Sequence, residues 1–267
     1  MLGPTSDKKQ APVLQPRVGT DAGRSINHAL PLYQDFLQVT PLCIKHESYF
    51  QVYEALFSKY QGKGITFVEV GVFNGGSLAM WRRYLGPAAR IIGIDLNPEA
   101  QKWASDGFEI FIGDQSSELF WTDFYAQVGA IDVLLDDGGH MNHQQIITAE
   151  QAIPRIRDGG VLVVEDVHTS YMPGFNHPPA HSFVAYAKGL VEHINARGAD
   201  TDMAFGRHSA RVWNVAFFES MVALEIDSRR CFRSSGISNH GAATTSLDYR
   251  HAGAAPTDLP DLSSFFS

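Results

Sequence analysis

The sequence predicts an α/β fold: a doubly wound sheet of five parallel strands closed by an antiparallel pair. Three observations carry that expectation. Five short apolar runs, ITFVEV (65–70), RIIGID (90–95), FEIFIG (108–113), IDVLLD (131–136) and GVLVVE (160–165), are not broken by polar alternation. Unbroken runs of strand length belong to strands buried on both faces, as in parallel sheets. Segments of helical period fit between most of them. Near the C-terminus, VWNVAFF (212–218) and VALEID (222–227) stand only a few residues apart, the spacing of a hairpin at one sheet edge.

Taken in order, residues 1–25 are rich in Pro, Gly, Lys and Gln and have no period. With the poorly patterned segment that follows, they predict a flexible arm over residues 1–44. Tyr49, Phe50, Tyr53, Leu56 and Phe57 recur at helical spacing within 45–60, a helix whose apolar face packs on a sheet. Residues 75–85 fit a helix after the first strand. A longer one is predicted over 142–157, with Ile146, Ile147, Ala149, Ala152, Ile153 and Ile156 on its inner face. The main domain is expected over 45–230, and the Ser-, Ala-, Gly- and Pro-rich residues 231–267 as an irregular tail.

Composition narrows the function classes. In 267 residues, 44% are hydrophobic and 19% charged, which supports one large globular domain. Lys and Arg total 21 against 29 Asp and Glu, a net charge of −8, so a nucleic-acid partner is not expected. No apolar run reaches the ~20 residues of a membrane span. Cys43 and Cys231 cannot build a disulfide scaffold, and neither a sequon nor an apolar leader is present. The expectation is a soluble, cytoplasmic protein with no membrane partner.

In doubly wound folds ligands lie beyond the carboxyl ends of the strands. The first strand ends in Glu69-Val-Gly71-Val-Phe-Asn-Gly75-Gly76-Ser77, a glycine turn that lets a ligand approach the backbone. It is not the dinucleotide fingerprint, because Phe73 fills the second glycine slot. The second strand ends in Asp95, 24 positions after Gly71, where a carboxylate can accept both ribose hydroxyls. The pair suggests an adenosine-type ligand, with Asp114, Gln115 and Ser116 near the adenine edge. Strand four ends in Asp136-Asp137-Gly138-Gly139-His140, followed by His143, and strand five in Glu165-Asp166-Val167-His168. Crowded carboxylates are costly unless a cation neutralises them. Oxygen donors favour Mg²⁺, Ca²⁺ or Mn²⁺, and His140 is spaced to act as a general base beside a metal-bound oxygen. Tyr171 begins an aromatic, proline-punctuated segment that can wall a substrate pocket.

These residues resemble a known family. Glu69-Val-Gly71 with Gly75-Gly76-Ser77-Leu78 and Trp81, Gly93-Ile94-Asp95, Gly113-Asp114-Gln115, Asp136-Asp137-Gly-Gly-His140 and Glu165-Asp166-Val-His168-Thr169-Ser170-Tyr171 are similar to the macrocin and mycinamicin sugar O-methyltransferases. The resemblance covers roughly residues 45–227. It implies a class I methyltransferase fold, which is Rossmann-like, using S-adenosylmethionine and a divalent metal, Mg²⁺ or Mn²⁺. It implies Glu69, Gly71, Ser77, Asp95, Asp114, Gln115 and Asp136 at the cofactor, and Asp137, Glu165 and Asp166 on the metal. His140 or Asp137 would be the catalytic base, with His143, His168 and Tyr171 toward the substrate. The implied acceptor is a hydroxyl on a deoxysugar of a macrolide or another glycosylated metabolite, and the implied assembly a homo-oligomer. This chain has Gly139 where the family usually has serine. Two other readings stay open at this point: an iron oxygenase of the kind labelled cephalosporin hydroxylase, and a non-catalytic module that binds a nucleoside or glycoside.

Overall fold

The computed structural model describes residues 28–197, 206–242 and 263–265. Most of the expected arm, residues 1–27, and much of the expected tail lie outside them. The chain divides into two units, residues 1–233 and 234–267; in the second, the described residues 234–242 carry no helix or strand, and a short 3-10 turn spans Ser263–Phe265.

Among its described residues the first unit contains seven strands: β1 (Thr66–Val70), β2 (Arg90–Asp95), β3 (Glu109–Ile112), β4 (Ile131–Asp136), β5 (Ile156–Val164), β6 (Val212–Phe218) and β7 (Met221–Ile226). They form one sheet in the order β3-β2-β1-β4-β5-β7-β6. The first five are parallel; β7 pairs antiparallel with both β5 and β6. Chain order reverses between β1 and β4, so the crevice beyond their carboxyl ends is where a ligand is expected.

Six α-helices among the described residues cover the sheet: α1 (Pro31–Gln38), α2 (Tyr49–Phe57), α3 (Gly76–Leu85), α4 (Glu118–Val128), α5 (Asn142–Ala152) and α6 (Phe183–Ala196). A strand's side chains alternate between faces. Phe67, Val133, Leu135, Val161 and Val163 therefore pack on one side with Tyr53, Phe57 and Trp81. Val68, Val70, Leu134, Leu162 and Val164 pack on the other with Trp121, Phe124, Ala149 and Phe183. The Trp81 ring lies 5.1 Å from Tyr53, 5.4 Å from Phe57 and 5.0 Å from Phe67, an aromatic cluster that fixes α2 and α3 on β1.

Three expectations need correction. The helix predicted over 142–157 ends at Ala152, and Ile156 opens β5, paired with Ile131. Pro154 lacks the N–H that a helix interior needs. The helix predicted over 45–60 starts at Tyr49, which leaves Lys45 outside it. The lead-in segment also holds a helix, α1: Leu32 is fully buried, and Tyr33 and Phe36 pack against Phe50 with ring separations of 5.1 Å.

Candidate active site

A cavity of about 620 Å³ opens at the carboxyl ends of β1, β2 and β4, within the size range of small-ligand sites. Its floor begins at the turn after β1. Gly71 has φ +93°, and a Cβ there would lie 2.1 Å from the Asp137 carbonyl oxygen, so only glycine allows β1 and β4 to converge at that point. Asp95 ties this turn to β2: its Oδ2 accepts from the N–H groups of Val72 (2.8 Å) and Phe73 (3.0 Å), and its Oδ1 from Asn97 N–H (2.8 Å). A carboxylate has about four acceptor positions. Asp95 thus holds the glycine turn and still has capacity toward the cavity that it lines. Asp114 accepts from the Ser116 N–H (2.8 Å) and hydroxyl (2.7 Å), which hold its carboxyl below the ordinary range.

The alternation of side chains sorts the remaining acids. Glu69, on the Phe67 side of the sheet, is fully buried and accepts from the Ser77 hydroxyl at 2.7 Å and from Trp81 Nε1 at 3.4 Å. Burial raises its pKa, against the pull of Lys45 and Ser77. Asp136 points to the opposite side. Both of its oxygens accept from Gln115 Nε2 (3.0 and 3.1 Å), and the Gln115 Oε1 accepts from Gly139 N–H at 2.7 Å. Gln115 and Asp136 are thus buried against each other. Asp136 does not line the cavity, whereas Gln115 does, with its amide bonded to Asp136 and to the turn after β4. Gly139 has a local reason: a Cβ there would lie 2.2 Å from Gln144 Oε1, whose side chain would have to move for serine to fit.

At the far end of the cavity, one ligand atom each from Asp137, His140 and Asp166 lies within 4.8 Å of the others. His140 Nε2 is 3.6 Å from Asp166 Oδ2 and 3.9 Å from Asp137 Oδ1. Its Nδ1 is buried without a hydrogen-bond partner among the described residues. His140 and Asp166 both adopt left-handed backbone, φ +59° and +54°, a conformation that costs energy for such residues and is common at functional sites. Tyr49 donates to Asp166 Oδ1 at 2.5 Å, and the Thr169 hydroxyl lies against the carbonyl oxygens of His140 (2.9 Å) and Asp166 (2.7 Å). Two carboxylates converging at this point, with His140 Nε2 beside them, fit a hard divalent cation.

Glu165 is placed differently from its neighbour Asp166. It is buried, accepts from the Tyr53 hydroxyl, and faces Lys45 Nζ at 3.1 and 3.2 Å. Lys45 also donates to Asp137 Oδ2 at 2.6 Å and lies 3.5 Å from Glu69. Burial opposes the charge on Lys45, but Asp137 and Glu165 outweigh it and hold the amine well above its ordinary pKa. Burial and the nearby Asp137 raise Glu165. Burial also pushes the thiol of the cavity-lining Cys43 up to about 12, against the pull of Lys45.

The outer residues are less engaged. His168 is partly exposed; its Nδ1 contacts the Ser220 hydroxyl and lies 4.0 Å from Asp166 Oδ1. His143 Nδ1 is 3.2 Å from the His177 carbonyl. Tyr171 is 71% exposed, and neither it nor His143 lines the cavity. Sequence reasoning passed over Lys45, Tyr49 and Tyr53. The two tyrosines lie on the inner face of an amphipathic helix, where they read as packing residues. A lysine next to such a face was the one available signal.

Sheet order, cavity and strand-end acids together define a class I methyltransferase fold. Residues 68–167 match a methyltransferase domain family. The 8-demethyl-8-alpha-L-rhamnosyl tetracenomycin-C 2'-O-methyltransferase of Streptomyces olivaceus is 30% identical over 158 residues, 55% of this chain and 41% of that protein. Demethylmacrocin O-methyltransferase of Streptomyces fradiae is 29% identical over 130 residues, 46% of this chain and 32% of that one. The MycE methyltransferase of mycinamycin biosynthesis, solved with Mg, SAH and mycinamycin VI, superposes with a TM-score of 0.65 at 23% identity, over 79% of this chain and 55% of that one. The resemblance to sugar O-methyltransferases read from the motifs is borne out by these relatives, although the chain spans less than half the length of the two curated ones.

Proposed function

We propose that the protein is a divalent-metal-assisted, S-adenosylmethionine-dependent O-methyltransferase whose acceptor is a sugar hydroxyl on a glycosylated natural product. The observation that carries this reading is the continuity of the cavity from the Gly71–Asp95 turn to Asp137, His140 and Asp166. A donor and an acceptor bound at its two ends would meet inside it. The tetracenomycin and macrocin relatives support the acceptor class through their names.

Asp95 and the backbone of the glycine turn would hold the ribose, with Asp114 near the base. Ser77, which lines the cavity, would border the methionine part, held by its bond to Glu69, which is fully buried behind it and does not line the cavity. Asp137 and Asp166 would hold the ion, which when bound acidifies and orients neighbouring sugar oxygens. His140 Nε2 would take the hydroxyl proton, and the two carboxylates beside it would stabilise the imidazolium that forms. Most of the remaining acceleration would come from alignment of the oxygen with the sulfonium methyl. With Asp137 and Asp166 on the ion and His140 as base, the donor set disfavours an iron oxygenase, whose usual site is ligated by two histidines and one carboxylate. The −8 net charge supports a small-molecule partner over a nucleic acid, and a homo-oligomer remains part of the proposal.

Calorimetric titration with S-adenosylhomocysteine in Mg²⁺ buffer tests the reading. We expect micromolar binding that weakens at least about tenfold in Asp95→Ala, the loss of roughly 1.4 kcal/mol or more of polar contact. Asp137→Ala should keep that binding and lose Mg²⁺-stimulated turnover. No heat and no thermal stabilisation of the folded wild type would overturn the cofactor assignment.

A further inference from the structure

We propose that Asn142 is a positioning residue: its buried amide clamps residues 171–182 beside the metal end of the cavity, where they receive the non-sugar part of the acceptor. The inference rests on the methyl-transfer reading above and adds the residue that fixes one wall of its acceptor site.

Asn142 is the first residue of α5, two positions after His140, and it is fully buried. A buried amide needs partners for its oxygen and for its nitrogen. Among the described residues, the hydrogen bonds of this one all go to a single stretch of chain. Its Oδ1 accepts from the Ser170 hydroxyl at 3.0 Å and from the Phe183 N–H at 3.2 Å. Its Nδ2 donates to the Pro178 carbonyl at 3.3 Å. The stretch from 171 to 182, between a 3-10 turn (Val167–Tyr171) and α6, is thus held at both ends and near its middle. The His143 N–H, one of the donors that the first turn of a helix leaves over, adds a bond to the His177 carbonyl at 3.1 Å. No residue from 171 to 182 is buried, so apolar packing holds the stretch weakly and the polar clamp decides where it lies.

Its place points to the acceptor. The stretch begins a few residues after Asp166, and the Thr169 hydroxyl at its root lies 2.9 Å from the His140 carbonyl oxygen. A cavity of about 620 Å³ is the room of one drug-sized ligand, so the cofactor and one sugar fill it. The rest of a glycosylated acceptor has to leave past the metal end, opposite the Gly71–Asp95 turn. Tyr171 and Met172 stand beyond that end, 71% and 41% exposed. A ring and a flexible thioether offer apolar surface that adapts to an aglycone.

Two variants of the full chain test the clamp. Asn142→Asp keeps an oxygen for Ser170 and Phe183 but sets an acceptor against the Pro178 carbonyl. Asn142→Ala removes all three bonds. In both, amide hydrogen exchange within residues 171–182 should speed up at least about tenfold. Affinity for S-adenosylhomocysteine should stay within about twofold of wild type. Methyl transfer is read with labelled S-adenosylmethionine on two probes, para-nitrophenyl α-L-rhamnoside and methyl α-L-rhamnoside. For the aryl glycoside KM should rise at least about tenfold with kcat within about threefold, and for the methyl glycoside both should change by less than about threefold. Unchanged exchange in the folded variants would overturn the clamp. Faster exchange with an unchanged KM for the aryl glycoside would overturn the acceptor role. So would a fall in kcat equal for both probes, because Asn142 would then act through His140 alone. If neither variant folds, Ser170→Ala, which frees one end of the stretch, should give the same pattern at smaller size, and unchanged exchange there would overturn the clamp. A wild type that binds S-adenosylhomocysteine and methylates neither probe would remove the acceptor class and this inference together. One that binds no S-adenosylhomocysteine would remove the methyl-transfer reading itself, and the inference with it.

Discussion

Gln115 connects three parts of the molecule that the sequence keeps far apart. Its amide donates to Asp136 at the end of β4 and to Thr148 of α5 (3.2 Å), and accepts from the turn at Gly139. The turn after β4 carries His140, so Gln115, which also lines the cavity, helps position the candidate base through its bond to Gly139. A buried carboxylate that loses its partners costs about 1–3 kcal/mol. We expect Gln115→Ala to lower unfolding free energy by that amount in urea denaturation. Burial raises Asp136 in the folded state, so the deficit should shrink as pH falls through its folded pKa and the carboxyl becomes neutral. The motif Gly113-Asp114-Gln115 was legible in the sequence, but its direction was not. Whether Gln115 faces the ligand or Asp136 depends on which side of β4 Asp136 occupies, and register decides that.

At the scale of elements, β3 is the exposed end of the parallel sheet, and a fork of two hydrogen bonds ties it to β2. Arg90 donates to Glu109 at 2.7 and 2.6 Å across the pair, which holds the Glu109 carboxyl below its ordinary range. The carboxylate thus contributes stability above its unfolded pKa of about 4.3 and loses it as pH falls through the lower folded value. Both side chains are more than a third exposed, so solvent screening limits the contribution to roughly 0–1 kcal/mol. Glu109→Gln should cost no more than that at pH 7 and nothing below the folded pKa, as read from thermal melts across pH. The strands themselves were legible because burial on both faces writes continuous apolar runs. Helix ends were less so. The run through Ile153 and Ile156 keeps a helical period across Pro154, and Ile156 is drawn into the sheet by pairing with Ile131.

At the scale of the whole molecule, residues 28–44 are part of the folded body although their pattern is weak. Leu32 is buried, Glu54 Oε1 accepts from its N–H at 2.7 Å, and Tyr33 and Phe36 cover Phe50. A chain beginning at Lys45 would expose that surface and lose several kcal/mol at about 1.5–3 kcal/mol per buried side chain. We expect a melting temperature lower by roughly 10 °C or more in circular dichroism. An unchanged melt would mean that α1 is dispensable. No helix among the described residues is long and apolar enough to cross a membrane, in keeping with the composition.

The sequence by itself determined the strand succession, the closing hairpin and the gathering of acids at strand ends, because burial and turn geometry are local and leave their period in the chain. The tertiary structure alone decided which acid meets which partner. Asp136 turns to Gln115, Glu165 to Lys45 and Tyr53, and Asp137 with Asp166 to His140. Those pairings follow from strand parity, from two left-handed residues at the turns, and from a lysine delivered across 120 positions of sequence. Such contacts are set by packing between elements, and no local period records them.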